Sequence, residues 1–210
     1  MKVKQLKLGP MDNFSYVLWD PESRRAALVD PAWAPRELAD FLGQQKLELQ
    51  DILLTHAHPD HVNGVDYFLG KSPDLPVYLH PADEFMLERN WPGRRPLADG
   101  QRLGLGAGEI KVLATPGHTP GSVCFLVPGA VLSGDTLFIG ECGRVDLPGS
   151  SAEALYESFR RLAELPDGAV LYPGHSYNGD TSTMGVQKEY NLYLKLARQE
   201  RRDDFLKAVR

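Results

Sequence analysis

Residues 55–61, Thr55-His56-Ala57-His58-Pro59-Asp60-His61, gather three imidazoles and a carboxylate into seven positions. The run Asp51-Ile52-Leu53-Leu54 before them is short and apolar, as a buried strand is. Val62 to Gly70 after them reads as a helix, through Val62, Val65, Tyr67, Phe68 and Leu69. In extended chain alternate side chains point the same way, so His56 and His58 can approach one cation together. Asp60 and His61 follow the turn and face a second position nearby. Imidazole and carboxylate are what a borderline divalent ion prefers. The competing reading is a polar loop with incidental histidines. Only six of the 210 residues are histidine, and their clustering with Asp favours metal.

Hydrophobic residues make up 42% and charged residues 24%, the balance of an ordinary globular protein able to bury a substantial core. The formal charge of -5 argues against a broad nucleic-acid face. Two cysteines, Cys124 and Cys142, cannot form a disulfide framework. Met1 to Pro10 lacks the apolar core of a signal peptide, and no apolar run reaches membrane-spanning length. A cytoplasmic protein is the expectation, with no nucleic-acid and no membrane partner.

Strands are expected at Val3 to Leu8, Phe14 to Trp19, Ala26 to Asp30, Ile52 to Leu54 and Pro76 to His80. The second half adds Ile110 to Ala114, Val123 to Val127, Ala130 to Leu132 and Ala169 to Tyr172. Helices are expected at Pro35 to Leu42, Pro81 to Glu88, Ser151 to Leu165 and Val186 to Arg198, the last running on towards the C-terminus. Asn90 to Gly100, rich in Pro, Gly and Arg, reads as an irregular connection. Leu103 to Gly108 reads as a turn, because Glu109 stands where a dinucleotide fingerprint needs its third glycine. These are two β-rich halves with no linker between them.

His118, Asp135 and His175 each fall in a Gly-containing turn just after an apolar strand, where rigid scaffolds present functional groups. Taken singly, each could be a turn residue bonding local backbone. Together with the first stretch they put five of six histidines into such turns; His80, before Pro81, reads as structural. Seven ligands (His56, His58, Asp60, His61, His118, Asp135 and His175) are too many for one tetrahedral ion and suit two. Asp135 is the natural bridge, having two oxygens to divide. Two divalent ions facing Asp60, Asp135 and a hydroxide would retain about one positive charge, which favours an anionic transition state.

Thr55 to His61, Thr115 to Ser122, Ser133 to Phe138, Cys142 to Pro148 and Tyr172 to Tyr177 together resemble the metallo-β-lactamase superfamily. Within it the chain is similar to short forms of the glyoxalase II and persulfide dioxygenase branches. The resemblance implies an α/β fold, an αββα sandwich of two mixed sheets flanked by helices, as one domain over residues 1–210. It implies a metal site along one edge of the sheets. His56, His58 and His118 would hold one ion and Asp60, His61 and His175 the other, with Asp135 between and Asp60 and Asp135 as the catalytic carboxylates.

The implied reaction is hydrolysis of a glutathione thioester by a metal-activated water, with two divalent ions, zinc first and iron or manganese as alternatives. The substrate would be a small molecule, and a homodimer is compatible with the sequence. Arg144 in Cys142-Gly143-Arg144 and Tyr177 in Gly174-His175-Ser176-Tyr177 stand where glyoxalase II contacts glutathione. Their plainer readings are a surface Arg paired with Asp146 and a Tyr closing its turn. Glyoxalase II carries an added helical domain for which this chain is too short.

The competing enzyme reading is a persulfide dioxygenase. It uses one Fe(II) held by His56, His118 and Asp135, the two-histidine, one-carboxylate set of non-haem iron oxygenases. Cys142-Gly143-Arg144-Val145-Asp146 resembles a segment of that branch, whereas Leu147-Pro148-Gly149 resembles the short hydrolases. A non-catalytic relative would be expected to lose Asp60 or His61 first, and both are present.

Overall fold

A computed structural model of the chain describes residues 1–209. Strands β1 (Lys2–Leu8), β2 (Asn13–Trp19), β3 (Arg25–Val29), β4 (Glu48–Leu53), β5 (Val77–Leu79) and β6 (Arg94–Pro96) lie side by side in that order. The first three run antiparallel and the step from β3 to β6 is parallel. The second half makes its own sheet from β7 (Arg102–Leu105), β8 (Gly108–Ala114), β9 (Val123–Val127), β10 (Ala130–Gly134), β11 (Val170–Pro173) and β12 (Ser182–Thr183). Only β10 and β11 are parallel in it.

The two-residue period of the strands sorts side chains into three apolar layers. On β2, Phe14, Tyr16 and Leu18 face the second sheet, while Val17 and Trp19 face the helices α1 (Pro35–Gln44) and α3 (Val65–Leu69). Leu53 likewise points inward between the sheets, and Ile52 and Leu54 point outward. Phe125 and Leu132 complete the middle layer from the other side. Cys124, Val131 and Leu171 back onto α4 (Ala152–Ala163), α6 (Leu192–Arg198) and α7 (Arg202–Ala208). This is the expected αββα sandwich. No helix among the described residues is long and apolar enough to cross a membrane.

Several expected elements are interrupted, each for a local reason. The helix expected over Val62 to Gly70 is split into α2 (Pro59–Val62) and α3. Between them Gly64 N–H donates to Pro31 O (3.0 Å) and Asn63 Oδ1 accepts from Trp33 N (2.6 Å), so tertiary partners replace helical ones. The last helix is divided into α5 (Met184–Tyr190) and α6 by extended Asn191, whose Oδ1 caps Leu194 N (3.1 Å). Its Nδ2 donates to Glu141 O (3.0 Å) and Phe138 O (3.3 Å), bracing the loop after β10. Pro81–Met86 is a 3-10 helix, capped by His80 Nδ1 accepting from Ala82 N (3.3 Å). The connection over Asn90 to Gly100 contains β6, and of the turn expected at Leu103 to Gly108 only Gly106-Ala107 turns, Leu103 to Leu105 being strand β7 paired antiparallel to β8.

Because β4, β10 and β11 end at one edge of the sandwich, so do the turns that follow them. The antiparallel start of β2 reaches the same edge, where Asn13 and His175 form a β-bridge between the sheets. Val123 N donates to Thr55 O (2.8 Å) a short way along.

Candidate metal centre

Two triads of nitrogen and oxygen atoms converge at that edge. One atom each from His56, His58 and His118 lies within 4.8 Å of the others, and so it is for Asp60, His61 and His175. Asp135 spans them: Oδ1 is 3.3 Å from His61 Nε2, and Oδ2 is 3.6 Å from His118 Nε2 and 3.3 Å from His175 Nε2. All seven expected ligands are thereby brought together. His56, His61, His118, Asp135 and His175 are buried, leaving His58 and Asp60 as the more accessible members.

Outer partners fix which ring nitrogen of most imidazoles is bare. His118 Nδ1 donates to Arg144 O (2.9 Å) and His175 Nδ1 to Met11 O (2.8 Å), since a carbonyl can only accept. His61 Nδ1 donates to Asp30 Oδ2 (3.1 Å). The Thr55 hydroxyl gives its proton to Asp30 Oδ2 (2.6 Å), so His56 Nδ1 donates to Thr55 Oγ1 (3.0 Å). Each of these rings then turns its other nitrogen, Nε2, to the centre, as the atom that a metal or a proton can take. His56 Nε2 and Asp135 Oδ1 are buried without any hydrogen-bond partner, and His61 Nε2 meets His175 Nε2 at 3.2 Å. Lone pairs and carboxylates aimed at one another inside a protein are repulsive unless a cation lies among them. The donor set therefore fits divalent metal.

The two triads differ electrostatically. Burial, aided by neighbouring imidazoles, pushes His56 well below the ordinary range and His58 down to about 4, so both are neutral and ready to ligate. Burial works the same way on His61 and His175 but is overcome by carboxylates. Asp135 and Asp30 hold His61 well above its usual value, and Asp135 and Asp60 raise His175 to about 9. Asp60 and Asp135 are themselves held well below the usual carboxylate range, burial being outweighed by the facing His61 and His175. A proton and a metal ion compete for the same atoms here.

Four buried residues that sequence reasoning missed support the triads. Asp30 accepts from Thr55 N (2.7 Å), the Thr55 hydroxyl and His61 Nδ1, which uses both its oxygens for orientation. It sits at φ 47° just past an apolar strand, the same signal that marks the ligands. Asp83 accepts from Ala57 N (3.2 Å), Thr119 Oγ1 (2.7 Å) and Gly121 N (2.6 Å), tying the first ligand loop to the His118 loop. Thr55 and Asn13 complete the set; nothing in their spacing distinguished them. Gly174 is required by contact, since a Cβ there would fall on Asp135 Oδ1.

Of the two expected substrate contacts, Tyr177 stacks on His175, with ring centroids 4.9 Å apart and planes at 10°. Burial and then the Asp135 and Asp60 charges push its hydroxyl up to about 12. Arg144 lies beside the centre through its carbonyl, while its guanidinium makes a bidentate pair with Asp146 (2.6 and 2.7 Å) on the surface.

Residues 8–175 match the metallo-β-lactamase superfamily. A probable polyketide biosynthesis zinc-dependent hydrolase, PksB of Bacillus subtilis, is 34% identical over 90% of this chain and 84% of its own length. A hydroxyacylglutathione hydrolase of Alkalilimnicola ehrlichii is 42% identical over 79% of this chain, which spans only 62% of that longer relative. The crystal structure of TTHA1623 in a di-iron-bound form superposes with a TM-score of 0.78 at 38% identity, covering 91% of this chain and all (100%) of that one. By fold, by the site at its sheet edge and by sequence, the chain belongs to the metallo-β-lactamase superfamily.

Proposed function

We propose that the protein is a two-metal hydrolase that cleaves a thioester, with a glutathione-linked small molecule as substrate. The observation that carries the reading is the Asp135 carboxylate reaching nitrogens of both triads. His56, His58 and His118 hold one ion, Asp60, His61 and His175 the other, and Asp135 lies between. Zinc is the first choice, in line with the zinc-dependent relative, and iron is the alternative, in line with the di-iron neighbour. When bound, such an ion pair supplies Lewis acidity and brings the pKa of water to about 7.

The chain's own groups do the rest. Asp60, with its side chain 19% exposed against 10% for Asp135, is the carboxylate that can meet an entering water and orient it by accepting a hydrogen bond. Tyr177 walls the His175 side, and Arg144 offers positive charge to an anionic thiol carrier. A thiolate of pKa about 8.5 leaves without an acid to protonate it. The hydroxyacylglutathione hydrolase relative supports the choice of carrier.

The test is elemental analysis of protein made in metal-replete medium, followed by hydrolysis of S-hydroxyacyl-glutathione thioesters. Two metal ions per chain and thioester cleavage are expected. One iron per chain, with oxygen uptake dependent on glutathione persulfide, would replace this reading with the dioxygenase.

A further inference from the structure

We propose that Asn13 and Trp33 are positioning residues for the Asp60–His61–His175 half of the centre, Trp33 setting the Asn13 amide and Asn13 setting the Asp60 carboxylate. The inference rests on the two-ion reading above and says which residues outside the ligand set govern one half alone.

Asn13 is fully buried, and each of its polar side-chain atoms is committed. Its Nδ2 donates to Asp60 Oδ2 (2.9 Å) and Asp60 O (3.1 Å), and its Oδ1 accepts from Trp33 Nε1 (2.7 Å). An indole N–H can only donate and a carboxylate can only accept, so only one orientation of the amide satisfies both neighbours. The oxygen that Asn13 holds is the one that faces the imidazoles, 3.4 Å from His175 Nε2 and 3.6 Å from His61 Nε2. Through its backbone Asn13 also forms the β-bridge to His175, flanked by Phe14 N to Gly174 O (2.8 Å). One residue thus registers two of the three members of this triad. Among the described residues it makes no hydrogen bond to a member of the other.

Trp33 is held at the cost of strain. Its φ of 50° lies in the left-handed region, which a bulky residue rarely adopts. Its backbone N–H is tied to Asn63 Oδ1 (2.6 Å) and its indole N–H to Asn13. Gly9 closes against the ring so tightly that a Cβ there would overlap it. A tryptophan still 38% exposed is fastened at three points, which burial of its apolar surface alone does not require. The fastening delivers one N–H to the Asn13 amide.

Zinc titrated into chelator-stripped protein, followed by calorimetry and by competition with a chromophoric chelator, tests this without any assay of activity. Wild type should show two steps, and Asp60→Asn marks the one that belongs to its half. Trp33→Phe should weaken that same step about tenfold and leave the other unchanged; Asn13→Ala should weaken it by about 10–100-fold. Asn13→Asp should do likewise by setting a second carboxylate against Asp60. Circular dichroism confirms folding, and Trp33→Phe at the half-exposed position keeps the test sound where buried Asn13 variants fail to fold. Two unaltered steps in Trp33→Phe, or equal weakening of both, overturns the inference alone. A single zinc in wild type overturns the two-ion reading and the inference with it.

Discussion

His61 Nε2 and His175 Nε2 face one another at 3.2 Å, each with its Nδ1 proton given to an outer acceptor. In metal-stripped protein the adjacent carboxylates draw protons onto these rings, and His175 titrates at about 9. A histidine whose folded value is raised adds stability that is complete below its unfolded value of about 6.5 and is lost as pH climbs through the folded one. The metal-stripped chain should therefore lose thermal stability between about pH 6.5 and pH 9, and zinc should abolish that loss while releasing protons. A melting temperature that stays flat across this window would contradict the assignment.

His56→Ala and Asp135→Ala should each abolish hydrolysis, by far more than the 10–100-fold typical of outer positions, and leave the fold largely intact. Both residues lie on turns beyond strand ends, and removing Asp135 also removes a buried acceptor atom that has no partner. Circular dichroism and turnover measured on the same samples check this.

Asp30→Asn keeps the shape but puts an amide N–H against a position that needs an acceptor. Losing an acceptor for Thr55 or His61 should cost about 1–3 kcal/mol of stability. It should also lower metal affinity about 10–100-fold by freeing the imidazole to turn. Denaturant melts and zinc competition separate the two effects.

Gly174→Ala drives a methyl group into Asp135 Oδ1. Metal content after purification should fall sharply, with secondary structure retained. Full occupancy would show that the carboxylate can shift away.

Arg144→Ala should raise KM for glutathione thioesters with a smaller effect on kcat. Its guanidinium is exposed and paired with Asp146, so stability should change by no more than about 0.5 kcal/mol. An unchanged KM removes Arg144 from the substrate path.

The alternation of Val3 to Leu8 and the post-strand turns were legible because the first depends on local periodicity and the second on ligand residue types. That is why the seven expected ligands meet as they do. The breaks at Asn63-Gly64 and Asn191 were not legible, because the partners that interrupt the helices, Pro31, Trp33 and Glu141, are remote in sequence. The β6 and β12 strands are two or three residues long and have no period to read. Asp30 and Asp83 carry the chemistry of ligands, and only coordinates show that their oxygens are saturated by the surrounding loops.

Each triad takes two members from one sheet's turns and its third, His118 or His175, from the other's. An ion in either position is thus a rivet through the sandwich, and neither half of the polypeptide carries a complete socket. Metal capture then becomes a readout of whether the two sheets have met, so that co-expressed halves severed between β6 and β7 should regain tight zinc only on reassembly.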